Sequence, residues 1–548
     1  MARNHNAGTS LIDRRDFLKA SLLAAGSAFG CSLLGCDSSE FVIPCLGPAP
    51  APPPVSGMTY IRASEIGCAL DCNLENGRNK YTGGAATDDG PRINAAMAGA
   101  TADNPMTLII DGSALISGLF LPAGGNWNIA GLGCGTGFFV KAATNNDGIH
   151  NGPPNAGVPS DPGPPAPPRG MNVSLSNFTL NGNQGNGHDG DSTSGTTQGG
   201  KVWYCGINLM NLNNITFQDV VVVNTPSYHI RLSNVGNVVV SGCVLKSHGP
   251  STDGLHFDGP ANDITISNCD FTTGDDSIAL NCPEGYSGNI SRVAVTNCTF
   301  NSLSLMRLYT FNGGPDKFNI DAVSVSNCSG TLSEAAFLIG VTNGSNPNSV
   351  ASLFISDCTL TCPTVLGIAE NFGTIALKNV TFIASRSHVI WVAPQPNHVC
   401  GFLRPSPLYG GVTCVGSSLS FENCRIYRNE DLVVAALVLD NGSTIDNLTF
   451  NEFGLQDAGS YSTVPSLVNI GWGAIGQLML DALDSNNISS PVSAGGFWSV
   501  RSVLGAGVLA TGWEFPDEVM ANGVPFISAT SGLPSIKTAG VVHLYVLP

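Results

Sequence analysis

Ile264-Thr-Ile-Ser-Asn-Cys269 returns with small changes as Val293-Ala-Val-Thr-Asn-Cys298, Val323-Ser-Val-Ser-Asn-Cys328 and Leu353-Phe-Ile-Ser-Asp-Cys358. Val238-Val-Val-Ser-Gly-Cys243 precedes the series and Leu419-Ser-Phe-Glu-Asn-Cys424 follows it, with looser copies ending at Phe178, Val220 and Val380. From Val220 to Val380 the closing residues lie 23, 26, 29, 30, 30 and 22 positions apart, a self-similarity that marks a solenoid. Within each copy apolar residues alternate with small polar ones, the period of a strand, before an Asn, Asp or Gly turn and a small thiol or apolar residue. One such unit cannot bury its inner face alone, so successive coils must stack. The expected fold is all-β, a single-stranded right-handed parallel β-helix over residues 58–455. The Asn-Cys signature fades after that, so 456–548 read as terminal coils or a small β-unit.

A second strand set is interleaved with the first: Tyr228 to Leu232, Asp253 to Phe257, Asp276 to Leu280, Met306 to Thr310, Ala336 to Gly340 and Val389 to Val392. Aligning their inward residues puts Leu255 beside Ile278, hence Asp253 beside Asp276 at the ~4.8 Å spacing of neighbouring strands. Asp275 then stacks on Thr252. Three carboxylates a few ångströms apart cannot all ionise cheaply, so at least one pKa must rise, and a shared proton makes one of them an acid. A calcium site or a polar stack at a β-turn would use the same residue types.

Thr87 to Met97, opening Thr-Asp-Asp-Gly-Pro, predicts a short capped amphipathic helix that covers the open end of the solenoid. Two long loops, 152–170 and 181–200, are placed to wall a groove. Arg14-Arg15-Asp16-Phe17-Leu18-Lys19 before the apolar run Ala20 to Leu34 is a twin-arginine export pattern, and the run is too short to span a membrane. Leu33-Leu34-Gly35-Cys36 resembles a bacterial lipoprotein box, which makes Cys36 the lipidation candidate; an ordinary cleaved signal over 1–36 is the alternative. Residues 37–57, rich in proline and alanine, read as a tether. The expected location is the periplasm or cell surface of a bacterium, as a monomer held to the membrane only by its lipid.

The chain carries 23 Lys and Arg against 40 Asp and Glu, a net charge of −17, which argues against nucleic acid as a partner. It also argues against a polyanionic substrate unless cations are focused locally. Of 17 cysteines, those at the repeated position behave as small buried hydrophobes. Cys68 with Cys72, and Cys358 with Cys362, are candidate local bridges. Paired CxxC spacing for zinc is absent, and no metal or cofactor is expected.

Residues from about 202 to 327 resemble glycoside hydrolase family 28, the polygalacturonase-like enzymes on right-handed parallel β-helices. Asn224-Thr-Pro-Ser-Tyr-His229 is similar to the segment before that family's catalytic coils, Ser251-Thr-Asp-Gly254 to its Asn-Thr-Asp-Gly motif, and Thr273-Gly-Asp-Asp276 to its Gly-Asp-Asp motif. The resemblance implies Asp253, Asp275 and Asp276 as the catalytic set of an inverting hydrolase, Asp275 as acid and the other two activating water. Met306-Arg-Leu-Tyr-Thr310 resembles its Arg-Ile-Lys motif, which implies Arg307 as a substrate-binding residue and leaves Tyr309 where the lysine stands. Ser251 replaces an asparagine, and the expected Gly-His-Gly coil is missing, because no histidine lies between His256 and His388.

Losing a lysine that would pair with a uronate carboxylate opens the substrate to neutral or differently charged glycans. His229 and His256 stand near the acids as candidate sugar contacts. Tyr309 and Trp203 are candidate stacking surfaces, and Arg307 could equally be a counter-ion for the carboxylates. Inverting glycosidases hold their carboxyl groups ~6.5–9.5 Å apart and retaining ones ~5–5.5 Å. Directly stacked Asp253 and Asp276 are too close for the inverting rule as an acid/base pair, and assigning both to water activation removes the conflict. The expected activity is therefore hydrolysis of a polysaccharide or oligosaccharide, pectin-like or other. A polysaccharide lyase or epimerase on the same fold, and a catalytically silent glycan-binding surface protein, are the two rivals.

Overall fold

Strands stack in three parallel sheets, one behind each side of a coil. The computed structural model describes residues 47–506 outside 48, 54, 134, 153–165, 193–203, 311–316, 341–348, 386–400, 406–412, 429–434, 440–441, 458–465, 471–472, 482–491 and 495–497, together with 527–528, 535–536 and 543–547. The twin-arginine pattern, Cys36, Trp203 and Val389 to Val392 lie outside the described residues.

In the first sheet Val173, Ile215, Val238, Ile264, Val293, Val323, Leu353, Ile375, Leu419 and Leu448 stand directly against one another in successive coils. All ten are buried in one continuous core, the register that the Asn-Cys repeat predicts. Phe271 stacks on Phe300 at 5.2 Å and Phe421 on Phe450 at 4.9 Å between ring centroids, so like side chains form columns through the core. Pairing continues beyond residue 456, from Ser443–Asn451 through Gly473–Asp481 and Trp498–Ala506 to His543–Leu547. The coils thus outlast their Asn-Cys signature.

The turn that closes each of these strands explains the asparagines. Asn177, Asn268, Asn297, Asn327, Asp357, Asn379 and Asn423 take φ of 48° to 57°, and Gly242 takes 66°. That left-handed backbone costs most L-residues about 1–2 kcal/mol and is adopted readily by Gly, Asn and Asp. One residue there swings the chain from the first sheet into the second. The cysteine that follows is buried, and its thiol faces the carbonyl two residues back, as Cys269 does to Ser267 at 3.1 Å and Cys358 to Ser356 at 3.0 Å.

None of the twelve described cysteines, Cys68, Cys72, Cys358 and Cys362 among them, is joined in a disulfide, so neither candidate bridge forms. For the second pair the reason is the strand Thr359–Cys362 itself. Four residues of extended chain put the two Cα atoms ~13 Å apart, about twice what a disulfide can reach.

The helix runs Gly90–Met97 with Pro91 in its first turn and Ile93 and Met97 in the core. Its expected side-chain cap is absent. The Asp89 carboxylate instead accepts from the backbone N–H groups of Ala69 at 2.7 Å and Leu70 at 2.9 Å. In the third sheet Ile230, Leu255, Ile278, Met306, Phe337 and Leu366 form one column. Leu255 and Ile278 pair as the sequence register predicts. The strand Thr364–Ile368, which follows Ser329–Ile339 in this sheet, is a coil that the sequence reading passed over.

Candidate active site

Asp253 and Asp276 lead two adjacent strands into the third sheet. The Gly254 N–H donates to the Asp276 carbonyl at 2.9 Å, and the Asp253 carbonyl accepts from the His229 N–H at 2.8 Å. Gly274 is obligatory at its position, because a Cβ there would collide with the Gly249 backbone and the Thr252 hydroxyl. Its N–H reaches Thr252 Oγ1 at 2.9 Å, which seats Asp275 over the preceding coil, where the Ser251 N–H donates to Asp275 Oδ2 at 2.8 Å. Asp253, Asp275 and Asp276 thereby bring one carboxylate oxygen each within 4.8 Å of one another.

Such crowding shifts the proton balance. Burial first, then the charges of Asp275 and Asp253, push the Asp276 carboxyl well above its ordinary range; Arg307 and a hydrogen bond from Ser304 oppose the rise. Ser304 Oγ lies 2.5 Å from Asp276 Oδ1, and Arg307 Nη1 lies 3.7 Å from Asp276 Oδ2. Asp275 is raised to about 6 by burial and by Asp253, against Arg307, the Ser251 N–H and His256. The cluster therefore holds a proton near neutral pH and titrates as a unit. It can offer an acid and a base at once.

Arg307 and Tyr309 sit one coil beyond Asp276, both half-buried, with the guanidinium 5.5 Å from the centroid of the Tyr309 ring. The residue stacked on Asp275 in that coil is Leu303, whose N–H donates to the Asp275 carbonyl at 3.2 Å. Leu303 packs with Ala335 and Leu338 in a small apolar cluster separate from the main core.

Sequence reading missed two further acids. Glu334, 4% exposed and one coil past Arg307, is raised to about 7 by burial and by Asp275, and its oxygens have no hydrogen-bond partner among the described residues. Glu370 is raised to about 7 by burial and accepts from Thr310 Oγ1 at 2.5 Å. Both feel the charge of Arg307. Their signal in the sequence was faint: single charged residues among apolar and small ones, Glu334 within the strand Ser329–Ile339 and Glu370 in the bend between Thr364–Ile368 and Asn371–Lys378.

The two histidines expected as sugar contacts are both buried. His229 has no exposed surface, and its Nδ1 lies 2.8 Å from the Asp253 carbonyl, which can only accept, so Nδ1 carries the proton. Burial lowers this imidazole to about 4, and it stays neutral behind the trio. His256 is 1% exposed and turned beneath Asp253, among Arg231, Asp258 and Glu284. Sequence alternation alone does not give this direction, because which face of that strand is covered depends on neighbouring coils.

Residues 167–337 match the family model described as Glycosyl hydrolases family 28. A probable polygalacturonase of Arabidopsis thaliana is 24% identical over 135 residues, which cover 20% of this chain and 29% of that protein; the match thus spans less than a third of the curated relative. The family 28 exopolygalacturonase of Yersinia enterocolitica superposes with a TM-score of 0.50 at 11% identity, over 81% of this chain and 78% of that one. A tailspike protein of E. coli bacteriophage HK620, solved with a pentasaccharide, gives a TM-score of 0.50 at 11% identity over 80% and 78% of the two chains. The fold is thus the right-handed parallel β-helix. The resemblance to family 28 holds, and the matched residues contain the whole carboxylate cluster.

Proposed function

We propose that this chain is an exported glycoside hydrolase that cleaves a glycosidic bond by inverting acid/base catalysis at Asp253, Asp275 and Asp276. The observation that carries the reading is the trio itself, three carboxyl groups with one oxygen each within 4.8 Å of the others, two of them, Asp275 and Asp276, raised by burial and by neighbouring charge. One neutral carboxyl protonates the leaving oxygen while an ionised neighbour draws the proton from water; the trio's 4.8 Å span is shorter than the ~6.5–9.5 Å usual for inverting enzymes, so inversion rests on the family 28 resemblance and not on this spacing. Asp275, raised to about 6 and partly exposed, suits the acid that must reload each turnover.

The substrate we propose is a neutral glycan. Arg307 faces Asp276 directly, and Asp275, Glu334 and Glu370 all feel its charge, so the surroundings stay net negative and repel a uronate carboxylate. Tyr309 offers a ring where a lysine would have offered charge. Release of reducing ends from a panel of neutral and acidic glycans tests this, with Asp276→Asn as control. Turnover should appear on a neutral glycan and vanish in the variant; turnover retained by Asp276→Asn would sink the catalytic assignment. Unsaturated products, or activity that needs calcium, would favour the lyase reading suggested by the missing histidine. Export by the twin-arginine route with Cys36 lipidated remains part of the proposal, and loss of lipid labelling in Cys36→Ala is its test.

A further inference from the structure

A line of charged groups runs beneath Asp253. His256 Nδ1 lies 2.7 Å from Asp253 Oδ2, and its Nε2 lies 2.9 Å from Glu284 Oε2 and 3.1 Å from Asp258 Oδ1. Asp258 in turn holds Arg231 Nη2 at 2.6 Å. Asp258, His256 and Arg231 are at most 1% exposed, and the Tyr228 ring stacks on the imidazole with centroids 3.9 Å apart. A neutral imidazole has a single N–H, so one of its nitrogens would set a lone pair against a carboxylate. Only the imidazolium donates at both ends, and charge-assisted hydrogen bonds of this length are the strong ones.

We propose that His256 is a positioning residue: a buried imidazolium, anchored by Glu284 and Asp258, that donates to Asp253 and holds it as the ionised, water-activating member of the trio. The trio's proton is then left to Asp275 and Asp276. This rests on the hydrolytic reading above and assigns the acid and base roles within it. Burial disfavours a charged ring, but hydrogen bonds to Asp253, Asp258 and Glu284 outweigh it and raise His256 well above the ordinary histidine range. Glu284 is drawn down to about 2 against its own burial, by the bond to His256 and then by Arg231. Among the described residues, the groups around the ring are Asp253, Asp258, Glu284 and Tyr228. Arg231 stands behind Asp258, and Asp275 is near enough to feel the ring's charge.

The test has two readouts on the full chain. Nitrogen NMR of the histidine side chains at pH 8 should show an imidazolium that disappears in His256→Gln and is perturbed in Glu284→Gln. The acidic limb of the kcat/KM profile should move up by about 1–2 pH units in His256→Gln, because removing a nearby positive charge makes the carboxylates easier to protonate. Glu284→Gln should shift it less in the same direction. A merely structural role would lower kcat/KM equally at every pH. A neutral His256 at pH 8, or an unmoved limb in folded variants, overturns the proposal. If the wild type hydrolyses nothing, the hydrolytic reading fails while the NMR signal still decides the charge of His256. Should His256→Gln not fold, the wild-type spectrum and Glu284→Gln decide it alone.

Discussion

Asp275→Asn exchanges a carboxyl for an uncharged group of nearly the same shape, one that can still accept the Ser251 N–H. In the folded chain this carboxyl is raised from 3.8 to about 6. The difference, 6 − 3.8, is about 2 units, or about 3 kcal/mol at 1.36 kcal/mol per unit. Asp275 keeps part of its surface in water, which screens the effect, so about 1–3 kcal/mol is the expected range.

The sign follows from which state binds the proton more tightly. With the folded pKa above the unfolded one, the stabilising contribution is full below pH 3.8 and is lost as pH rises through about 6. The asparagine has no proton to lose. The variant should therefore match the wild type at pH 3.5 and exceed it by about 1–3 kcal/mol at pH 7.5, while hydrolysis falls by about 10²–10⁴-fold. Thermal melts at the two pH values, beside reducing-end assays at pH 7.5, measure both. A variant less stable than the wild type at pH 7.5, or a stability difference that ignores pH, would refute the reasoning. Stability gained as activity is lost is the mark of a site built against its own repulsion.

Glu334→Gln extends the same argument to the neighbouring coil. That carboxyl is raised from 4.5 to about 7, so its contribution is present below pH 4.5 and lost through about 7. The glutamine variant should melt higher than the wild type at pH 8 and close to it at pH 4; equal melting points at pH 8 would contradict the burial argument. Asn297, at φ 55°, tests the turn. Alanine there should cost about 1–2 kcal/mol and glycine much less, by urea denaturation, and equal losses would show that the left-handed backbone is not what selects asparagine.

The coil was legible in the sequence because its causes are local. Alternation of Val, Ile and Leu with small polar residues sets which side chains point inward, and a left-handed Asn, Asp or Gly sets where the chain turns. These two signals recur at nearly fixed intervals, so aligning them yielded Ile264 against Val293 and Leu255 against Ile278. The juxtaposition of Asp253 with Asp276 followed from the same register. Cys358 and Cys362 were misread where spacing in sequence was taken without the rise of a strand, and Thr364–Ile368 was missed because it carries no repeated signature.

The amino-acid sequence by itself determined the solenoid, its register and the convergence of three carboxylates, since each depends on periods of two residues and of one coil. Tertiary structure alone decided the charges. Whether a carboxyl holds its proton depends on how much water reaches it and which groups approach through space, and those come from different coils. Arg231, Asp258, His256 and Glu284 are separated by up to 53 positions in the sequence and meet only in the stack. That meeting sets His256 Nδ1 against the Asp253 carboxylate, the contact on which its proposed positioning role rests.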